Sequence, residues 1–440
     1  MEITKTTFSF LLSIMPVLLI TGPAIPDIVI TLSAIFLIIL IFWKKYWFQV
    51  KNLSWLRVSI IFWIFLIISS FFAFNFVRSF SEAIIFIRFL LIPPVVLIIL
   101  FEYQLTIKLL FITIFASVVF VIFDSLYQFF NYDLFKGFGG DIFGYVPDNS
   151  PHFRLTGPFK DLVPGSFISR FAFFGIIALY LLIKNKNLRN LIIIIYLGTS
   201  GFITYISGER MAFATFGLGL IIFILFSKDK FYFLLSIILM FFLIFISNKF
   251  HPAYNYKILN STPTHNGLEL EKNIECQDPL ETNCTILIRS QPEFITVLKN
   301  FKESAYGEIY LHAFEMYKEN LIFGIGLSNY TELCLTEKYK KLLNNINCVT
   351  HPHNFYSQWP VETGPISLIL FIFYLYYVFK IINQNKTRET KLLSIITMII
   401  LFWPIMSTGS MTKNWYGINI FFLLGICISI YKLKINNKNL

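Results

Sequence analysis

The sequence predicts an all-α polytopic membrane protein, with about twelve transmembrane helices and one large, partly helical outer loop between helices nine and ten. Three observations carry that expectation. Hydrophobic residues make up 56% of the 440-residue chain and charged residues only 14%, too little charge to cover a soluble domain of this size. Apolar runs of about 20 residues, enough to cross a hydrocarbon core of roughly 30 Å, recur along the chain. Basic residues gather in alternate short connections between those runs.

The spans fall at 8–22, 27–43, 56–73, 82–101, 107–130, 165–183, 190–206, 211–226, 231–247, 361–380, 391–408 and 415–431. Residues 22–27 (Gly-Pro-Ala-Ile-Pro-Asp) read as a tight turn between the first two. No small-residue cleavage site follows the first span and further spans come directly after it, so it reads as a retained helix. The chain thus divides into residues 1–247 with spans one to nine and a smaller outer loop at 131–164, a large loop at 248–360, and residues 361–440 with spans ten to twelve.

A net charge of +11 would suit a nucleic-acid binder, but its distribution excludes that class. Half of the 36 basic residues lie in connections on one side: Lys5, Lys44, Lys45, Lys51, Arg57, Lys108, Lys184, Lys186, Arg189, Lys228, Lys230, Lys380, Lys386, Arg388, Lys391, Lys432, Lys434 and Lys438. The short turns on the other side hold little beyond Arg78, Arg210 and Lys413. That asymmetry orients both termini toward the cytoplasm and places 131–164 and 248–360 outside.

The large loop breaks the apolar rhythm and carries four of the five cysteines and five of the six histidines. Cys276, Cys284, Cys334 and Cys348 allow three disulfide connectivities on an oxidising face, sequential pairing being the plainest. A Cys334–Cys348 bridge would end five residues before His353. Cys427, in the last span, reads as packing. There is no paired CxxC, HExxH or clustered carboxylate motif, so neither metal nor cofactor is expected.

Within the loop, 304–319 has a loosely amphipathic helical period, with His312 as a core or interface residue. Gly324-Ile-Gly326 makes a turn, and 330–345 reads as a second amphipathic helix capped by Asn329 or Thr331. The lone GxG follows no parallel strand, so no dinucleotide fold is implied. The loop closes on His351-Pro-His-Asn-Phe-Tyr-Ser-Gln-Trp-Pro-Val-Glu-Thr-Gly364. Pro352 suits a first helical turn, which would put His353 near a helix N-terminus, neutral and able to accept a proton. Asn354 beside it can donate and accept hydrogen bonds. Pro360 would kink the helix, leaving Glu362 as a supporting or structural residue. His351 competes for the role but reads as a loop residue.

The smaller outer loop ends in Arg154-Leu-Thr-Gly-Pro-Phe-Lys160, where two cations flank a Gly-Pro turn and could clamp a phosphate, against the plainer reading of a solvated loop. Ser207-Gly-Glu-Arg210 joins spans seven and eight in a few residues, holding Arg210 at the membrane boundary. A charge inside a bilayer costs on the order of 2.5–3.5 kcal/mol, so one held there has a task or snorkels outward. Pairing with adjacent Glu209 is disfavoured, since neighbours on a helix point apart. Arg88, within span four, would seek Glu82 or Asp124. Whether Arg88 and Arg170 reach a site stays open.

Taken in order, these segments resemble the O-antigen ligase and polymerase family of bacterial envelope glycosyltransferases. His353-Asn354 followed by Glu362-Thr-Gly364 is similar to the family's His-Asn motif with its downstream Glu-x-Gly. Three residues on stands Ser367, where ligases carry Gly, Thr or Tyr. Glu319-Asn-Leu-Ile-Phe-Gly-Ile-Gly resembles the P-x-x-G-x-G lead-in, with Leu321 in place of proline. Ser207-Gly-Glu-Arg210 looks like the Ser-x-Arg turn, and Arg154-Leu-Thr-Gly-Pro-Phe159 like the Arg-x-Thr-Gly-x-Phe loop. The resemblance implies metal-independent inverting transfer of a glycan from a polyprenyl diphosphate to an acceptor hydroxyl, at the periplasmic face of a bacterial inner membrane. The acceptor would be a glycolipid or glycan. In those terms His353 is the base, Arg210, Arg154 and Lys160 bind the diphosphate, and Asn354 and Glu362 support the base. Ligase and polymerase remain alternatives. A twelve-span transporter is the rival from another class, though its long loop would lie centrally and inside. A glycolipid flippase or binding protein would need the cations but not His353.

Overall fold

The structure, a computed structural model, describes residues 2–43, 46–133, 137–147, 154–159, 164–227, 230–255, 257–258, 285–286, 299, 301–343, 347–385, 387–405 and 407–433. Lys160, Cys276 and Cys284 lie outside the described residues. The chain is essentially all-α and divides into two compact units, residues 1–110 with 302–438, and residues 111–301.

Among the described residues, eight helices are long and apolar enough to cross a membrane: Ala24–Trp43, Phe76–Glu102, Gln104–Phe130, Pro164–Leu182, Lys186–Ile206, Lys230–Phe250, Pro365–Asn383 and Asn414–Lys432. The other four apolar segments of the sequence form shorter helices. Ser54–Ser70 and Arg210–Phe226 have 17 residues each and Arg388–Leu401 has 14. At a rise of about 1.5 Å per residue, such helices fall short of a hydrocarbon core of roughly 30 Å. The N-terminal segment is broken at Ile14, between Glu2–Ser13 and Met15–Ile20. Composition therefore locates the helices, while length separates eight from the expected twelve.

Several boundaries differ from the sequence reading for local reasons. The first turn is confined to residues 21–23, and a helix begins at Ala24, with Asp27 in its first turn. Pro93 and Pro94 interrupt the fourth span at Leu91, because proline cannot donate to the preceding turn. The tenth span begins at Pro365, after a break at Gly364. The eleventh ends at Leu401, leaving 402–405 and 407–413 outside it as loop.

In the first unit, an aromatic cluster locks the helices together. Trp359 is fully buried, meeting Phe62 edge-on at 5.0 Å, Phe86 at 5.7 Å and Phe371 at 5.7 Å. The last span approaches Ile92–Ile98 closely because Gly425 has no side chain; a Cβ there would sit 2.8 Å from Val96. Arg88 pairs with neither Glu82 nor Asp124. Its guanidinium meets Asp27 at 3.0 Å and donates to Asn414 Oδ1 at 2.6 Å, and Asn414 donates to the same Asp27 at 3.1 Å. Each charge thus gains a partner as well as a hydrogen bond, which the interior requires.

The loop residues of this unit form a small core of their own. Ser304 caps the Ala305–Glu319 helix, accepting from Gly307 N at 3.1 Å. Ala313 and Met316 pack against Ile325, Tyr330, Cys334, Tyr339 and Val361. His312 is a core residue as expected: its ring bonds Tyr330 Oη at 3.0 Å and Tyr339 O at 3.1 Å. The expected helix over 330–345 is instead two short ones, Tyr330–Cys334 and Glu337–Lys340, split at Leu335–Thr336. Cys334 is bridged to Cys348. Cys427 is a buried free thiol.

The second unit packs Pro164–Leu182, Lys186–Ile206, Arg210–Phe226 and Lys230–Phe250 together. Tyr196 Oη donates to Ala172 O at 3.0 Å. Two short antiparallel pairs complete it, Tyr132–Asp133 with Gly137–Phe138 and Lys257–Ile258 with Thr285–Ile286.

Candidate functional site

In the first unit, the glycine turn and the Glu-x-Gly segment, separate motifs in the sequence, are one packed element. Ile325 N donates to Val361 O at 2.9 Å and Gly326 N to Glu362 O at 2.8 Å. A Cβ on Gly324 would lie 2.5 Å from the Glu362 carbonyl carbon, and one on Gly364 would collide with Ile322 O. Gly364 also has φ +86°, a conformation side chains rarely adopt. This element is tied to the turn before the Phe76–Leu90 helix. Phe74 N donates to Ile325 O (2.9 Å) and Asn329 Nδ2 to Asn75 O (3.1 Å), while Arg78 pairs with Glu332 at 2.7 Å. Ser367, three residues past Gly364, is fully buried; its hydroxyl meets Trp359 O (3.1 Å) and Gly364 O (2.6 Å) across the break between the two helices.

Pro352 and His353 lie outside the helix that the sequence reading gave them. That helix is Phe355–Thr363, and Asn354 is its cap, its Oδ1 accepting from Tyr356 N at 2.8 Å. Asn caps a helix well because its side chain reaches the orphan N–H groups of the first turn. His353 stands just before the cap with φ +52°, and Ser328 has φ +60°. Such left-handed non-glycine residues are uncommon, and they cluster at functional sites.

Residues 402–405 and 407–413, of which the sequence reading places those up to 408 in a span, hold the histidine segment along its length. Thr408 N donates to His353 O at 2.6 Å, and Thr408 O accepts from His351 Nε2 at 3.0 Å. Asn354 Nδ2 donates to Pro404 O at 2.9 Å and Tyr356 Oη to Phe402 O at 2.8 Å. The His351 and His353 rings are 4.2 Å apart. Burial lowers His351 to about 4, helped by the neighbouring His353 and Lys413 charges. His351 Nδ1 faces Thr350 Oγ1 at 2.9 Å, so both of its nitrogens are engaged. His353 is half-buried, and burial lowers it also, keeping its imidazole neutral.

Glu362 is fully buried in a polar chain. Gln358 Nε2 donates both to Glu362 Oε2 (3.0 Å) and to Ser410 Oγ (2.7 Å), and Ser410 meets Thr412 at 2.8 Å. Burial first, then the Glu82 charge, raises the Glu362 carboxyl to about 7 against its hydrogen bonds from Gln358 and Ser328 and the Arg78 charge. Glu362 therefore bears, through Gln358 and Ser410, on the loop that holds His353.

In the second unit, the Arg154-Leu-Thr-Gly-Pro-Phe loop is clasped by one side chain. Gln128 Oε1 accepts from Thr156 N at 2.9 Å and Gly157 N at 3.0 Å. Gly157, at φ +53°, lets the loop approach to where a Cβ would lie 2.7 Å from Ser125 Oγ. Arg210 opens the Arg210–Phe226 helix and is half-buried. The residue missed by sequence reasoning is Glu209. Its carboxylate accepts from Ser166 N at 2.7 Å and Ser166 Oγ at 2.5 Å, satisfying the first turn of Pro164–Leu182. Gly165 permits that contact, since a Cβ there would fall 2.6 Å from Glu209 Oε2. Burial raises the Glu209 carboxyl, opposed by Ser166 and by the Arg170 and Arg154 charges. Arg154 and the Ser-Gly-Glu-Arg turn, distant in sequence, are thus brought into one charged cluster with Arg170. The signal that could have found Glu209 is an acid in a connection too short to carry it into water.

Among the described residues, no group of three or more His, Cys, Asp or Glu side chains is arranged to hold a metal ion. No curated protein matches the chain. The family model described as O-antigen ligase matches residues 195–372, a stretch holding Glu209, Arg210, His353, Asn354 and Glu362. By that match, residues 195–372 of this multi-pass membrane chain are similar to the O-antigen ligase family.

Proposed function

We propose that the chain is a membrane glycosyltransferase that moves a glycan from a polyprenyl diphosphate carrier to an acceptor hydroxyl, in the manner of an O-antigen ligase. The carrying observation is the family match across a segment in which the half-buried His353 is held neutral beside a capped and tethered Asn354. His353 takes the proton of the acceptor hydroxyl as that oxygen attacks the anomeric carbon. The anomeric carbon–oxygen bond to the carrier breaks with inversion, and the polyprenyl diphosphate leaves with the electron pair. Arg210, with Arg154 and Lys160, stabilises the leaving diphosphate in place of a metal. Asn354 and Glu362 keep the histidine segment in place. The positive-inside pattern supports a reading with both termini in the cytoplasm and the chemistry at the periplasmic face of a bacterial inner membrane.

The test uses a host lacking this gene, complemented with wild type or His353→Ala at matched membrane levels, with surface and carrier-linked glycans resolved by size. Long polymer stranded on the carrier in the variant is the expected result. Accumulated single repeat units would make the protein a polymerase of the same family. A wild-type profile would remove His353 from the reaction and bring transport or flipping forward.

A further inference from the structure

The Ala305–Glu319 helix buries Ile309, His312, Ala313 and Met316 in its core. Its other face carries Tyr306, Tyr310, Phe314 and Tyr317, spaced so that they form one aromatic stripe. The stripe begins at the histidine: the Tyr306 ring meets His353 edge-on at 6.1 Å. From there it forms one wall of an open groove of about 400 Å³, whose opposite wall is Asn354, Tyr356, Ser357, Pro360 and Val361, with Pro404 at one end. That size lies within the range of about 300–1,000 Å³ typical of small-molecule sites.

The lining chemistry narrows the occupant. Among the described residues its lining contains no Asp, Glu, Lys or Arg; Lys318 Nζ lies 4.8 Å from the centre of the Phe314 ring without itself lining the groove. It is aromatic, yet edged with polar groups: the Tyr310 hydroxyl is hydrogen-bonded to Asn354, and Tyr356 Oη and the half-buried Ser357 lie alongside. A lipid chain would have no use for those groups. A pyranose ring uses both, since its C–H face stacks on aromatic rings while its hydroxyls meet amides and hydroxyls at the edge. Because Asn354 is both part of this wall and the residue after His353, a glycan with its reactive hydroxyl at His353 would extend into the groove.

We infer that the groove is a sugar-binding subsite for neutral pyranose residues of the acceptor, next to the residue that His353 deprotonates. The inference rests on the proposed transferase reading for which glycan it holds. Its test is direct binding, independent of turnover. The full chain in lipid nanodiscs is examined by saturation-transfer NMR with the oligosaccharide released by mild acid from the acceptor glycolipid of a host lacking this gene, and in parallel with lauric acid. Wild type and His353→Ala should both saturate the sugar ring C–H protons. Phe314→Ala, whose ring is 51% exposed and supports no core, should weaken that binding about tenfold. Tyr356→Phe should weaken it less and keep the stacking. Equal binding by wild type and Phe314→Ala, no transfer to the sugar, or transfer to lauric acid alone would overturn the subsite. If His353→Ala proves inactive while Phe314→Ala binds like wild type, the transferase reading stands and the subsite falls. If His353→Ala stays active and Phe314→Ala loses the sugar, the subsite stands and the role of His353 falls.

Discussion

Replacing Glu362 with Gln should stabilise the protein, and the gain should depend on pH. The carboxyl is fully buried and stands at about 7, against an ordinary 4.5. Between those values the unfolded chain has already lost the proton while the folded one retains it. Folding is then opposed increasingly as pH rises from about 4.5 to about 7, and the penalty is complete above that. At 1.36 kcal/mol per pKa unit, ionising Glu362 in place costs about 3 kcal/mol. Gln keeps the acceptor oxygen that Gln358 Nε2 bonds at 3.0 Å and removes the ionisation. The assay is thermal unfolding of purified wild type and Glu362→Gln at pH 5 and pH 8. The variant should melt clearly higher at pH 8 and within about 1 kcal/mol of wild type at pH 5. A difference of the same size at both values would refute the reasoning, because burial of the charge would not be its source.

Asp27→Ala should lower the melting temperature by an amount equivalent to about 3 kcal/mol, since it leaves Arg88 with Asn414 alone; the double variant Asp27→Leu with Arg88→Met should recover most of it in the same assay. Replacing Cys334 and Cys348 by Ser removes a bridge spanning 14 residues and should cost about 3 kcal/mol, and reductant should shift the wild-type melt more than the variant's. Asn354→Ala should lose the helix cap, about 1 kcal/mol, together with the Pro404 tether; Asn354→Asp should keep the cap but lose the tether, so glycan transfer should fall in both while stability falls mainly in the first. Because burial lowers His353, and a base must be neutral to act, the acid limb of the transfer rate should lie below pH 6.5; a limb above that value would assign the titration to another group.

The sequence made the apolar helices and the polar outer segments legible because periodicity and composition are local signals. Its misses are contacts between residues far apart along the chain. The sequence suggests Glu82 or Asp124 for Arg88, and the structure pairs it with Asp27, 61 residues away. Glu209 was set aside beside Arg210, and its partner is Ser166, 43 residues away. The helix start at Phe355 was misplaced because Pro352 suits a first turn as readily as a loop, and only the Asn354 cap decides between them. The start of the loop after Leu401 falls inside the span read over 391–408 because Phe402, Trp403, Pro404 and Ile405 extend the apolar run. Of the candidate site, His353, Asn354, Glu362, Arg154 and Arg210 could be named from motif order. Their environments could not, because hydrogen bonds to a distant loop leave no pattern in the residues that make them.

The glycine at 364 also has a consequence for how this chain tolerates change. Were the Phe355–Thr363 helix continuous with Pro365–Asn383, every residue added to or removed from the span would turn the Gln358 and Glu362 face by about 100°. The break at φ +86° uncouples the two angular phases. The span can then lengthen, shorten or tilt to suit a thicker or thinner bilayer, while the short helix keeps its azimuth against residues 402–413. The angular phases of span and site helix are thus set separately at a residue that no side chain can replace, while the Ser367 hydroxyl and the Trp359–Phe371 contact hold the two helices together.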